Sequence, residues 1–221
     1  MKLLALETAN EQCSVSIVDE TQTLFFQLDP RTKAQTQTIL PMIDQGLSQL
    51  QWQVADLTAI AFSRGPGSFS GVRINAAVTQ ALAWANDLPV IPVSTLQALA
   101  QAAYRQFGLT QVTATLDARM NEVYLGNFEL KNELMTLVDT EQLLAYAPAQ
   151  QAARFTLVGS GATLIDTTQT QYQNLHANAE DIASIARIFA QQKDWLSAEL
   201  ALPVYLRDNA WKKIAEQGNK N

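Results

Sequence analysis

A single cysteine, a single histidine and only 15 basic residues among 221 set the first limits on this chain. With Cys13 alone no internal disulfide can form, and its place in the alternating stretch CSVSIVD reads as a buried structural thiol. A zinc or non-haem iron site draws on several His or Cys ligands, and Cys13 and His176 together cannot supply them, so no metal site is expected. A Ser-His-Asp triad would have to run through His176. That residue lies in the polar stretch TQYQNLHANAE, far from any strand-to-helix nucleophile turn, and reads as an ordinary surface histidine. The excess of 21 acidic over 15 basic residues, a net charge of −6, has the wrong sign for a protein whose main task is gripping a phosphate backbone. No apolar run approaches the ~20 residues that span a bilayer. The apolar stretch in MKLLALETAN is interrupted by Glu7 and is shorter than the ~7–15 residues of a signal-peptide core, so it reads as a first strand in a cytoplasmic protein.

What is present is a globular composition, 48% hydrophobic and 16% charged, long enough for two small lobes with real cores. LLALETA, CSVSIVD and TLFFQLD, separated by polar turns, predict an antiparallel meander. A helical pattern follows from Lys33 to Leu50, with Ile39, Ile43, Leu47 and Leu50 at helical spacing and Pro41 expected to kink it or mark its effective first turn. Then come the strand LTAIAFS, the loop SRGPGSFSGVRIN, a helix over Ser70–Asn86 and the strand PVIPVS. After a helix over Leu96–Phe107 the plan recurs: VTATLDAR, EVYLGNFEL, LMTLVDT, the strand-to-glycine stretch FTLVGSGA, and the helix DIASIARIFAQQ. LLALETANEQCSVSIVDE parallels TATLDARMNEVYLGNFEL in order, and AIAFSRGPGS parallels FTLVGSGAT, which suggests two lobes of one plan. The expected architecture is α/β, a two-lobed actin/hexokinase/Hsp70-like (ASKHA, ribonuclease H-like) fold with a mixed sheet in each lobe. The first lobe is expected over residues 1–98, and the second over 99–221, with its tail packing back on the first. In that fold Glu7 and Asp117, at the ends of the two lobes' first strands, would face the cleft, with Thr8 and Arg119 beside them.

The glycine loop comprises Arg64, Gly65, Pro66, Gly67, Ser68, Phe69, Ser70 and Gly71, followed by Arg73. It has neither the spacing nor the lysine of a P-loop, and Ser70 stands where a dinucleotide fingerprint needs its third glycine. Pro66 has no N–H to offer an anion. Arg73 sits in the first turn of the following helix, where the dipole disfavours a cation, and so is expected to answer a carboxylate or an anion. That helix, VRINAAVTQALAWAN, is rich in alanine. Its small side chains suit close helix approach, either to its own sheet or to another subunit.

LLALETA, RGPGSFSGVRI, TLDARMNEVY and PVYLRDNAWKK together resemble the bacterial TsaB (YeaZ) family, from Met1 to about Ala215, with Ser70 where the family commonly has Thr. The resemblance implies a place in the apparatus that puts a threonylcarbamoyl group on the adenosine beside the anticodon of certain tRNAs. It implies a non-catalytic scaffold, without cofactor or catalytic residue, that activates the paralogue TsaD together with the ATPase TsaE. It also implies a homodimer when alone, and contact with tRNA only through the complex. TsaD-like enzymes hold a metal through paired histidines on one helix; the matching helix here, KAQTQTILPMIDQGLSQL, has none. The expected contact surface lies on the two first-lobe helices, at Ile39, Leu40, Ile43, Leu47, Ala76, Ala77, Gln80 and Trp84, while Glu7, Thr8, Asp117 and Arg119 would be a vestigial cleft. Two other readings stay open. One is a small ATPase or phosphotransferase in which Glu7 and Asp117 hold magnesium. The other is a peptidase using Ser68 or Ser70, for which Lys2 and Lys33 are the first-lobe candidate bases. The polar end AEQGNKN is expected to lack order.

Overall fold

The computed structural model of the chain describes residues 1–207; the expected disorder of AEQGNKN and the end of the PVYLRDNAWKK motif lie outside them. Strands β1 (Leu3–Glu7), β2 (Cys13–Val18) and β3 (Thr23–Asp29) form the expected meander. Helix α1 (Gln35–Leu50) then leads to β4 (Ala59–Gly65), α2 (Phe69–Ala85) and β5 (Val90–Ser94). β4 pairs parallel with β1, and β5 with β4, giving a mixed sheet in the order β3-β2-β1-β4-β5. Pro41 lies well inside α1 rather than in its first turn, because the helix begins six residues before it.

Helix α3 (Thr95–Phe107) connects to the second sheet. Ser94 caps its start, its Oγ accepting from the Leu96 and Gln97 amides, and Gly108 ends it in a left-handed conformation at φ 68°. β6 (Gln111–Arg119), β7 (Glu122–Lys131) and β8 (Leu134–Leu137) repeat the meander, and β10 (Thr156–Val158) pairs parallel with β6 just as β4 does with β1. Strand β9 (Gln142–Ala145), which pairs with β7, and helix α4 (Tyr146–Ala152) are among the elements not legible in the sequence. Both are short and half-exposed, so neither carries a full apolar period. A one-turn helix α5 (Ala162–Ile165) and the long α6 (Ala179–Gln191) complete the set.

The elements stack as five layers. Along β1, Leu3 and Ala5 face one way, and Leu4 and Leu6 the other. Leu4, Leu6, Val15, Ile60 and Phe62 meet Ile39, Ile43 and Leu47 of α1 and Ala76 and Ala83 of α2. On the opposite face, α3 and α6 fill the space between the two sheets, so that Leu3, Ile91 and Val93 share one apolar cluster with Val112, Ala114 and Phe128. Beyond the second sheet, Val123, Leu125 and Leu157 pack on Ala149 of α4 and Ala162 of α5. Position 98/99 falls inside α3, and α6, from the second half of the sequence, packs on β1 and β2 of the first sheet.

The shared layer carries a buried carboxylate, Asp181. The Asp181 carboxylate, wholly inaccessible, accepts from Arg105 of α3 at 2.8 and 3.1 Å and from the Asn178 amide at 2.9 Å. Burial nevertheless holds its pKa above the ordinary aspartate value, with Arg105 pulling in the other direction. Arg105→Met is therefore expected to cost about 2–3 kcal/mol at pH 7, because it strands a carboxylate in apolar packing, discounted because Arg105 itself is half-exposed. The loss shrinks at pH 5, where the stranded acid can bind a proton. Urea unfolding at both pH values measures it.

Candidate functional site

Glu7, Thr8 and the glycine loop come together where the first turn of the sheet meets α2, while Asp117 and Arg119 lie at the end of β6 in the second sheet. Gly65 ends β4 in a left-handed conformation, φ 103°, and Gly65–Pro66 is cis. The loop then lies directly on the end of β1. The Ser68 amide donates to the Ala9 carbonyl at 2.7 Å, and the Thr8 hydroxyl donates to the Gly71 carbonyl at 2.8 Å. A Cβ on Gly67 would fall 2.4 Å from the Ala9 oxygen, and one on Gly71 2.0 Å from the Thr8 oxygen. These two glycines serve close approach of backbone to backbone.

That packing uses donors a phosphate would need. The Ser68 amide is spent on the Ala9 carbonyl, and the Gly71 amide faces Ser68 Oγ at 3.4 Å as the cap of α2. Pro66 offers none. Arg73, expected to meet an anion or carboxylate, instead donates to the Phe69 carbonyl at 2.9 Å. Its guanidinium lies 3.3 Å from the centre of the Phe69 ring and 5.0 Å from that of Tyr205. An aromatic face satisfies a cation without opposing charge, which explains its tolerance near the helix start. Phe69 itself remains 57% exposed, and Ser68 and Ser70 are exposed beside it.

Beneath the loop, Glu7 is 1% exposed and opens on no cleft. Its Oε1 accepts from the Ala9 amide. Burial raises its pKa to about 7 despite the neighbouring Ser63 hydroxyl and the Ala9 and Asn10 amides. Asn75 of α2, which sequence reading passed over, completes this layer: Nδ2 donates to the Leu6 and Ser63 carbonyls and to Ser63 Oγ, tying α2 to both central strands. Its signal was a polar residue on the buried stripe Val72, Ala76, Thr79, Ala83.

The second lobe repeats the design. The Gly161 amide donates to the Thr115 carbonyl at 3.3 Å, and a Cβ on Gly159, φ 92°, would sit 2.3 Å from that same oxygen. Asp117 is held by its own turn: Oδ1 accepts from the Arg119 amide, and Oδ2 pairs with the Arg119 guanidinium, both at 2.8 Å. Among the described residues no three His, Cys, Asp or Glu side chains come together as a metal set. With both loops filled by their own backbone, the residues present do not fit the phosphates of a nucleotide. His176, expected on the surface, is half-buried, since the adjoining Ala177 carbonyl is pinned by Asn10 Nδ2 at 2.8 Å.

The expected contact surface divides by burial. Ile39, Ile43, Leu47 and Ala76 point into the chain's own core, where the sheet covers them, so they are corrected to packing residues. Leu40, 52% exposed, Ala77, Gln80 and Trp84, 65% exposed, face outward. Ala77, Gln80, Ala81 and Trp84 line an open, shallow groove of about 450 Å³. Among the described residues no helix is long and apolar enough to cross a membrane.

A pair of meander-plus-parallel-strand sheets, each with a glycine loop leaning on its first strand, defines a two-lobed protein of the actin/hexokinase/Hsp70 class. The family described as "TsaD: tRNA N6-adenosine threonylcarbamoyltransferase" matches residues 30–201. Among individual proteins, the chain is 40% identical to the tRNA threonylcarbamoyladenosine biosynthesis protein TsaB of Escherichia coli, over 97% of this chain and 98% of that protein. It is 36% identical to the Haemophilus influenzae protein of the same name, over 97% of both. The solved structure of YeaZ from Pseudomonas aeruginosa superposes with a TM-score of 0.84 at 37% identity, covering 93% of this chain and 99% of that one. The chain belongs to the TsaB (YeaZ) family, within the wider group that includes TsaD.

Two outcomes check the site. Gly71→Ala drives a methyl into the Thr8 carbonyl and is expected to cost about 3 kcal/mol or more, read from the denaturant midpoint. Glu7 binds its proton more tightly folded than unfolded. Stability should therefore fall as pH rises from the ordinary glutamate value of 4.5 through about 7, by on the order of 3 kcal/mol. Glu7→Gln should flatten that slope in thermal melts between pH 5 and 8.

Proposed function

We propose that the chain takes part in tRNA threonylcarbamoyladenosine biosynthesis as a non-catalytic scaffold, pairing with the catalytic paralogue TsaD and working beside the ATPase TsaE. The tRNA role rests on the names its relatives carry. The non-catalytic role is supported by both glycine loops packing on the chain's own backbone and by Glu7 being buried and Asp117 paired with Arg119. The net charge of −6 favours reaching tRNA through a partner rather than directly.

The partner surface is assigned to the outward stripe of α2, Ala77, Ala81 and Trp84, with Gln80 beside it and Leu40 of α1 nearby. Alanines let a second helix approach to about 8 Å, and an exposed tryptophan supplies an anchor of the kind that dominates binding energy. The same face would serve a homodimer, so self-pairing and TsaD binding would compete. An ATPase reading would need Glu7 charged and accessible, and the structure favours neither.

Light scattering on a sizing column, for the chain alone and mixed with its cognate TsaD, tests this. A homodimer that exchanges into a one-to-one mixed complex is expected. Ala77→Glu and Trp84→Ala should each weaken pairing about tenfold or more while shifting stability by no more than about 0.5 kcal/mol. Unchanged pairing in both variants overturns the assigned surface; absence of any mixed complex overturns the scaffold role.

A further inference from the structure

After α6 the chain runs back over the first lobe, and Arg207, the last described residue, contacts the second. Leu196 exchanges two backbone hydrogen bonds with Val90, each 2.8 Å, adding a bridge to the edge of β5. A single turn of 3-10 helix, Ala198–Leu200, lies on α2, where Gln80 Nε2 donates to the Glu199 carbonyl at 3.1 Å. Ala198 and Ala201 are buried with the α1 and α2 side chains, so this stretch is anchored in the first core. From Ala201 onward there is no regular structure, yet the path is specified. The Val204 amide donates to the Arg64 carbonyl at 2.8 Å, and the Val204 oxygen sits 2.9 Å from where a Cβ on Gly65 would be. Tyr205 lies on the outer side of Arg73. Arg207 then reaches the other lobe: its guanidinium pairs with Glu122 at 2.5 Å and donates to the Ala118 carbonyl at 3.1 Å.

We infer that residues 201–207 are a strap, closed in cis over the glycine loop and latched to the second lobe by Arg207. The latch has a firm receiver. Glu122 follows the tight turn Arg119-Met120-Asn121, all three residues at positive φ of 61°, 57° and 61°, so its position is set by the β6–β7 hairpin. Both Arg207 and Glu122 are about three-quarters buried, where an ion pair is screened less than on an open surface. The remaining segment has little apolar burial of its own: Leu202 and Tyr205 are about half exposed. A segment with few buried contacts opens locally at low cost, so its closure depends on the charge at its end. Opening the latch bares the Arg64–Gly65 backbone and releases Arg73 from Tyr205. The glycine loop is thus a gated surface, and its gate is tied at Glu199 to the α2 helix.

Amide hydrogen exchange on the full chain, read at Val204 and at the Arg119–Glu122 turn, tests the latch, with chymotrypsin cleavage after Tyr205 as a second readout. In Arg207→Ala and Glu122→Arg, the Val204 amide should exchange about tenfold faster and cleavage should accelerate similarly, while the Leu4 and Ile60 amides keep their protection. The swap Arg207→Glu with Glu122→Arg should recover most of the loss. Wild-type protection of Val204 in Arg207→Ala overturns the inference. If a single variant loosens Leu4 and Ile60 as well, the swap decides: recovery supports the latch, and failure to recover overturns it.

Discussion

The contact on which the rest of the structure depends is between two pieces of backbone, the glycine loop and the end of β1. Two residues without side chains, Gly67 and Gly71, let the loop come so close to the Thr8 and Ala9 carbonyls that no other residue type would fit. That approach sets where α2 begins. The Asn75 amide then fastens the helix to the Leu6 and Ser63 carbonyls, and the buried stripe of α2 falls onto β4. With one side of the helix so fixed, its alanine and tryptophan stripe is left outward, clear of the core. A loop shape that other folds turn toward an anion is here turned inward, and the outward helix face is its consequence.

The second lobe applies the same constraint with different residues. Here Gly159 and Gly161 lean on the Thr115 carbonyl of β6, the strand equivalent to β1. What differs is the cover. The first sheet carries two long helices on its outer face; the second carries α4 and α5, of seven and four residues. The inner faces of both sheets share α3 and α6, so the lobes have one apolar layer between them. Such a layer resists independent movement of the lobes and leaves the strap, with little apolar burial of its own, as the place for local opening.

Three acidic groups in this frame are held by the chain's own side chains and backbone. Glu7 has lost the solvent that would keep it ionised, Asp117 pairs with Arg119 two residues on, and Asp181 is bound to Arg105. Each sets a turn or joins elements of the fold.

Much of this could be read from the amino-acid order, because it depends on local pattern. The alternation in β1 to β3, the apolar periods of α1 and α6, the glycine loop between a strand and a helix, and the repeated order in the two halves are all properties of neighbouring residues. What only the tertiary structure decided were matters of direction and distance. Helical spacing grouped Ile39, Ile43 and Leu47 with Leu40 and cannot say which side meets the sheet; burial put the first three inside and left Leu40 out. Arg73 looked like an anion ligand because the sequence does not show that its guanidinium folds back on the ring and carbonyl of Phe69, with Tyr205, 132 positions away, on the far side at 5.0 Å. Glu7 looked like a cleft residue because strand position fixes where a side chain starts, while its protonation depends on the water removed by loop, strand and helix packed together. Periodicity is local and survives in the sequence; exposure, charge state and the partners of a polar group are set by segments that meet only when the chain has folded.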